Sequence, residues 1–259
     1  MKRKLSDMLA FALGMAICAG CTVKEDRSVC PSLLILDFGE VRADIAGSVC
    51  LGVTASDGFF FTDTVPSASY TEDYCLNVPR GTVTVSAWAG AEDYDPRGGL
   101  RIPEGEDCPP IYLHYSSLTV EDEVERELIM IRKNHCRLTI NMSGDDMDVR
   151  SLVISGNVDG YGPDGSVSKG LFRYEVVPEF AGSAAAVLPR QYDNSLMLEI
   201  DDGTGIAKIF PIGEYIAESG YDWTAPDLED ITVDLDFAVT HISLTVRGWD
   251  EEHKFDVVI

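Results

Sequence analysis

The residue with the clearest chemical signal in this chain is Cys21, which closes an apolar run near the N-terminus. Residues 1–4 are mostly basic and residues 8–19 are apolar and small, which is the pattern of an export signal. The run is too short to span a bilayer, which takes about 20 residues. Ala19-Gly20-Cys21 resembles a bacterial lipobox, in which the chain is cut before the cysteine and the thiol carries a lipid. We therefore predict a lipoprotein signal peptide over residues 1–20 and lipidation of Cys21.

Two features of this segment admit a second interpretation. Cys18 stands where a lipobox usually has leucine, so an ordinary secretory signal cut at small residues is the alternative. The lipoprotein is favoured because a cysteine after Ala-Gly at the end of such a run rarely has another use. Lys24, Glu25 and Asp26 follow and resemble the surface-export signal of Bacteroidota lipoproteins. The alternative for these three residues is a solvated tether.

Charge and hydropathy limit the classes of function. The chain has 259 residues, a formal net charge of −24 and 45% hydrophobic residues. Removal of residues 1–20 takes away three bases and one acid, which leaves −26 on the mature chain. Nucleic-acid binding requires clustered Lys and Arg, and no basic block is present, so this class is excluded. No other apolar run is long enough to span a bilayer either, so membrane attachment would depend on Cys21.

Sequence patterns for catalysis or metal binding are missing. The histidines, His114, His135, His241 and His253, lack the spacing of a metalloprotease motif. Residues 166–169 fit S-x-x-K but lack the partner motifs that this chemistry needs. We therefore expect no enzymatic activity, no cofactor, no metal and no small-molecule substrate.

The cysteines after Cys21 are odd in number and widely spaced: Cys30, Cys50, Cys75, Cys108 and Cys136. No C-x-x-C is present, so neither a zinc ribbon nor a redox motif is indicated. Export permits disulfides, and we expect one or two bridges of undetermined pairing. Cys50 and Cys75 lie in predicted strands, where they could equally be small buried side chains.

Apolar residues recur with period two along most of the chain, between turns rich in Gly, Pro, Asn and Asp. Residues 74–79 and 82–89 predict a hairpin with its turn at Arg80-Gly81. Residues 92–105 predict a long loop. Residues 213–220 predict the one short helix, which ends at a glycine.

Residues 124–131 alternate apolar side chains with Glu125 and Glu127, which predicts a strand whose charged face is exposed. A helix is the alternative for this segment. A short echo also links residues 83–88 (VTVSAW) to residues 244–249 (LTVRGW).

The spacing of the predicted strands favours antiparallel sandwiches over alternating βαβ units. We predict an all-β chain with two similar antiparallel β-sandwich domains, residues 32–134 and 135–259. They would follow a lipidated tether over residues 21–31.

The chain resembles the FimB/Mfa-type fimbrial anchor lipoproteins of Bacteroidales. The most specific part of the resemblance is Cys21 followed by Lys24-Glu25-Asp26-Arg27 and Cys30-Pro31. Shorter similar stretches extend almost to the C-terminus: GTVTVSAWAG at 81–90, IFPIGEYI at 209–216, GYDW at 220–223 and GW at 248–249.

The resemblance implies two transthyretin-like domains and a lipoprotein exposed on the outer membrane. It also implies that the protein anchors the base of a fimbrium, limits its length and engages the first shaft subunit by strand exchange. An incomplete sandwich can accept a strand through main-chain hydrogen bonds, which agrees with that mechanism. The alternative is a surface glycan-binding lipoprotein of a carbohydrate-uptake system, which would expose a platform of aromatic side chains.

Overall fold

The computed structural model describes residues 30–144, 149, 151–176, 178, 182–201, 207–238, 241–247 and 252–257. Strands dominate the described residues, as predicted. Up to residue 133 the strands are β1 (Ser32–Asp37), β2 (Ser48–Ala55), β3 (Phe60–Pro66), β4 (Tyr74–Val78), β5 (Gly81–Ala89), β6 (Leu100–Arg101), β7 (Tyr112–Val120), β8 (Val124–Leu128) and β9 (Arg132–Lys133). From residue 135 they are β10 (His135–Ser143), β11 (Ser151–Tyr161), β12 (Val167–Val176), β13 (Ser183–Pro189), β14 (Met197–Asp201), β15 (Lys208–Phe210), β16 (Ile231–Ala238), β17 (His241–Arg247) and β18 (Glu252–Val257), with helix α1 (Ile212–Glu218) between β15 and β16.

Two sheets face each other in the N-terminal half, which we define as residues 30–134. One has the order β4-β1-β8 and the other the order β3-β2-β5-β7-β9. Their inner faces share one apolar cluster, to which β1 contributes Leu34 and Leu36, β2 contributes Leu51 and β5 contributes Val83 and Val85. All five side chains are fully buried.

The C-terminal half, residues 135–257, repeats this strand order. Its sheets are β13-β10-β16-β17-β18 and β12-β11-β14-β15, so β10 corresponds to β1, β14 to β5 and β16 to β8. In both halves the first strand has an antiparallel partner on one side and a parallel partner on the other. The difference lies beyond β16, whose outer side pairs with β17.

The predicted hairpin over residues 74–89 is wrong. The segments predicted as a hairpin, β4 and β5, do not pair: β4 pairs with β1, and β5 pairs with β2 and β7. The chain crosses between the two sheets at the turn containing Gly81, whose φ of +110° suits glycine. The echo at residues 244–249 begins in β17, which has no counterpart in the N-terminal half, so it does not mark the repeat.

The segment predicted as a long loop, residues 92–105, belongs to the N-terminal half and packs against the C-terminal half. Within it, β6 pairs with Gly160 and Tyr161 of β11. Ile102 and Cys108 then join the apolar cluster of the C-terminal half. A loop rich in Gly, Pro and charge therefore contributes Ile102 to the distant core, and Cys108 lies just beyond the loop.

Candidate functional site

The predicted lipidation and export residues, Cys21, Lys24, Glu25 and Asp26, lie outside the described residues. Description begins at Cys30, whose carbonyl oxygen accepts a hydrogen bond from Arg80 Nε at 3.2 Å. The same guanidinium donates to the carbonyl of Glu121 in the turn between β7 and β8. The predicted tether therefore meets the sandwich at the end that carries the turn between β7 and β8.

The outer edge of β8 is open. Within the described ranges, β8 pairs with β1 and with no other strand. Leu33 N–H donates to Glu123 O at 2.9 Å, and Ile129 N–H donates to Asp37 O at 2.8 Å, so odd-numbered backbone groups face β1. Because a parallel ladder uses alternate residues, the N–H and C=O of Arg126 point to the open edge. This edge can receive another strand.

The prediction that the charged face of β8 is exposed is wrong, because its glutamates face inward and its apolar side chains face outward. Val124 is 53% exposed and Leu128 is 41% exposed. Glu125 and Glu127 lie in register with the fully buried Leu34 and Leu36 of β1, so both glutamates face inward. Inward-pointing charge on an edge strand disfavours indiscriminate pairing of that edge.

A groove of about 460 Å³ lies between β7 and β8, at the end of the strands away from Cys30. We call it the β7–β8 groove, and it is lined by Leu113, His114, Tyr115, Ser116, Glu127, Leu128, Met130, Arg132, Asn134, Asp164, Gly165 and Pro226. Most of these residues belong to the N-terminal half. The last three come from loops of the C-terminal half.

A buried histidine and an inward carboxylate meet in this groove. His114 Nε2 lies 3.3 Å from Glu127 Oε1, and their side chains are 9% and 18% exposed. His114 Nδ1 accepts the backbone N–H of Met130 at 3.3 Å, so the neutral ring carries its proton on Nε2. Burial lowers the pKa of His114, and the Glu127 carboxylate opposes this shift only in part. The lowered pKa therefore favours the neutral form of His114.

Ion pairs and backbone contacts fix the far wall of the groove. Arg132 Nη1 lies 2.9 Å from Asp227 Oδ2, and Asp227 Oδ1 accepts the backbone N–H of Lys133 at 2.8 Å. Tyr161 donates its hydroxyl proton to the carbonyl of Asn134 and accepts the N–H of Arg190 at 2.8 Å. These contacts join residues 132–134, at the end of the N-terminal half, to the C-terminal half.

Solved structures of other proteins share the fold of this chain. A protein from Bacteroides thetaiotaomicron that has been suggested to bind polysaccharide aligns with a TM-score of 0.63 and 13% identity, over 87% of this chain and 98% of that chain. The fimbrial anchor protein Mfa2 of Porphyromonas gingivalis aligns with a TM-score of 0.61 and 13% identity, over 85% of this chain and 98% of its own. The fold is shared with a fimbrial anchor protein.

A suggested adhesin from Bacteroides ovatus has the same fold, with a TM-score of 0.60 and 12% identity, over 90% of this chain and 97% of that chain. No protein-family model matches the chain, and no curated protein matches it by sequence. The resemblance drawn from the sequence is thus confirmed at the level of the fold, as is the all-β class.

Three further observations concern the cysteines, metal binding and the length of the helix. The expected disulfides are wrong for the described residues, in which Cys30, Cys50, Cys75, Cys108 and Cys136 are all unpaired thiols. In the same residues no cluster of His, Cys, Asp and Glu is placed to hold a metal ion. The helix that the structure describes is too short to cross a membrane.

The sequence missed the groove and the pairing of His114 with Glu127. No sequence motif includes His114, and the alternation along residues 124–131 predicts an exposed position for Glu127. The alternation along β8 was visible, but alternation alone does not reveal which face is buried.

Proposed function

We propose that this protein is an outer-membrane lipoprotein that anchors the base of a fimbrium to the cell surface and limits its length. Cys21 would carry the lipid, Lys24, Glu25 and Asp26 would direct export to the surface, and residues 21–31 would form the tether. Two transthyretin-like domains, residues 32–134 and 135–259, would follow the tether. The shared fold with an anchor protein supports the assignment, since almost the whole of that protein aligns.

The observation that carries the proposal is the open edge of β8. A shaft subunit would add a strand there through main-chain hydrogen bonds. The corresponding strand of the C-terminal half, β16, already has β17 on its outer side. Of the two corresponding strands, β8 is therefore the one whose outer side is left for a partner.

Anchoring is tested at the lipidated residue. Stable membrane attachment takes more than one acyl chain, which a lipoprotein diacylglyceryl group supplies. We expect Cys21→Ser to leave the fold intact and to release the protein, with its fimbriae, into the medium. Electron microscopy of cells and supernatant measures this, with Cys30→Ser as the matched control that stays attached. Retention of the Cys21 variant on the membrane would refute the anchor.

Strand addition is tested at Arg126. Arg126→Pro removes an N–H that faces the open edge and leaves the ladder to β1 in place. Arg126→Gln keeps that N–H and removes the same charge, so it is the matched control. We expect shaft subunits to co-purify with the glutamine variant and not with the proline variant. Equal recovery with both would exclude β8 as the accepting edge.

Glycan binding is the second candidate, because one protein of the same fold has been suggested to bind polysaccharide. The described tryptophans do not favour it: Trp88 is 6% exposed and Trp223 is 7% exposed, so neither offers a surface for stacking on a sugar. A glycan array on the purified protein decides between the candidates. Binding together with unchanged fimbriae after gene deletion would favour the second.

A further inference from the structure

The C-terminal half shows what a filled version of the β7–β8 groove looks like. Its strands β15 and β16, which correspond to β7 and β8, are joined by residues 211–230, which include α1. Four side chains of this connection enter the apolar cluster of that half: Ile212, Ile216, Trp223 and Leu228. Tyr215 of α1 also contacts the sheet that contains β16, since the centroid of its ring lies 5.1 Å from the ring centroid of Phe255 on β18.

The N-terminal half has no such filling. Its β7 and β8 are joined by residues 121–123 alone. This short connection supplies no apolar side chains to the groove, and Tyr115, Leu128 and Met130 of the groove lining are 38%, 41% and 41% exposed. Grooves of this size with a few convergent polar groups are typical of binding sites.

The charge in the groove is negative. The group beside Glu127 is the neutral His114, which does not cancel its charge. Asp164 brings a second carboxylate, whose Oδ1 accepts hydrogen bonds from the backbone N–H and the hydroxyl of Ser166. Arg132 is the cation of the lining, and it is already paired with Asp227. A ligand that fits the groove is therefore apolar over part of its length and positively charged at Glu127.

We propose that the β7–β8 groove binds a segment of another protein in which apolar side chains flank a lysine or arginine. The proposal rests on the proposed function, because the segment would belong to the subunit whose strand adds to β8. Its apolar side chains would cover the exposed lining residues Tyr115, Leu128 and Met130. Its cation would pair with Glu127, which an aliphatic segment would leave buried without a counter-charge.

A second copy of this chain does not suit the groove. The chain has 44 acidic and 20 basic residues, so two copies repel each other. A different protein with a locally basic strand is the complementary partner.

The experiment uses the mature protein with Cys21→Ser, labelled with ¹³C at its methionine methyl groups. The probes are two peptides of about ten residues, a length suited to a strand. Both alternate valine and threonine, and they differ only in carrying a central lysine or a central glutamate. We expect the methyl signal of Met130 to shift on addition of the lysine peptide. The signal of Met142, buried in the C-terminal core at 7% exposure, should stay in place.

Affinity gives the second measurement. We expect the lysine peptide to bind about tenfold more tightly than the glutamate peptide, since a charge-assisted contact forms in one case and repulsion in the other. Glu127→Gln keeps an acceptor for His114 and removes the charge, so the ratio should fall to about twofold. The matched control is Glu125→Gln, a neighbouring inward glutamate outside the groove lining, which should keep the tenfold ratio.

Each outcome decides a claim. Equal affinity for the two peptides, a static Met130 signal, or equal effects of the two glutamine variants would overturn the groove proposal. If Arg126→Pro abolishes binding of both peptides and no lysine preference exists, strand addition stands and the groove proposal fails. If the lysine preference survives Arg126→Pro, the groove proposal stands and strand addition fails.

Discussion

The side of the N-terminal half between β7 and β8 is open, whereas the same side of the C-terminal half is filled. The strand order of the two halves is the same around β1 and β10. The connection between the two strands differs, with residues 121–123 in one half and residues 211–230 in the other. The shorter connection has no side chains to spare for the space between the sheets.

The inner faces of the two corresponding strands match this difference. On β16 the inward residues Ile231, Val233 and Leu235 are at most 1% exposed. On β8 the inward residues are Glu125 and Glu127. A carboxylate is tolerated on the inner face only where water or a partner reaches it. One topology can therefore form a closed core or leave one side open.

The largest expected effect tests the filled side. Ile216→Ala removes a fully buried side chain of α1, which leaves a cavity and should lower the free energy of unfolding by about 2–5 kcal/mol. Leu128→Ala on the open side removes a side chain that is already 41% exposed, and should cost less than about 0.5 kcal/mol. Urea unfolding of both variants measures the difference. Similar losses in the two variants would mean that the sides do not differ in packing.

A smaller effect separates the two sides by pH. The pKa of His114 is lowered in the folded protein, so the unfolded chain takes up the proton first as pH falls. The stability that the neutral ring provides is present above about pH 6.5 and is lost as pH falls below that value. The inward residues of β16, Ile231, Val233 and Leu235, do not titrate, so the filled side has no corresponding pH dependence on this strand.

The variant that checks this is His114→Gln, whose side chain is polar and does not titrate. Urea midpoints at about pH 7 and about pH 5 should fall less in the variant than in the wild type. His135, whose pKa burial also lowers, remains in both proteins and sets the residual slope. An unchanged slope would assign the pH dependence to other groups.

The smallest effect concerns the outer face of the open side. Arg126 pairs with Asp73 through two contacts of 2.9 Å, and both side chains are about half exposed. Water screens such a pair, so Arg126→Gln should leave the urea midpoint unchanged within error. Leu128→Ala serves as the neutral reference in the same titration. A clear loss in the Arg126 variant would show that this ion pair, and not only the ladder to β1, holds β8 in place.

Local patterns predicted the elements well. The strands around residues 32–37, 48–55 and 112–120 have the period-two pattern that the structure shows, and the helix ends just before Gly220, whose φ is +84°. Pairing partners were harder, since β4 and β5 are adjacent in sequence but belong to different sheets. Which strand a segment joins depends on edges that become available far away in the sequence.

The groove shows the same limit at the level of single residues. His114 and Glu127 lie on strands that do not pair with each other, so no spacing in the sequence relates them. The disulfide prediction failed for a similar reason, because cysteine count and export context do not bring two thiols within bonding distance.

The sequence alone determined the acidic charge, the strand periodicity and the candidate lipid-bearing cysteine, because each depends on residue type and local order. Only the tertiary structure decided that Glu127 faces inward and that the outer edge of β8 is open. Alternation along a strand reads the same for either face, and exposure of an edge depends on which distant segment covers it. In the C-terminal half β17 provides that cover, while β8 in the N-terminal half leaves the edge free for a partner.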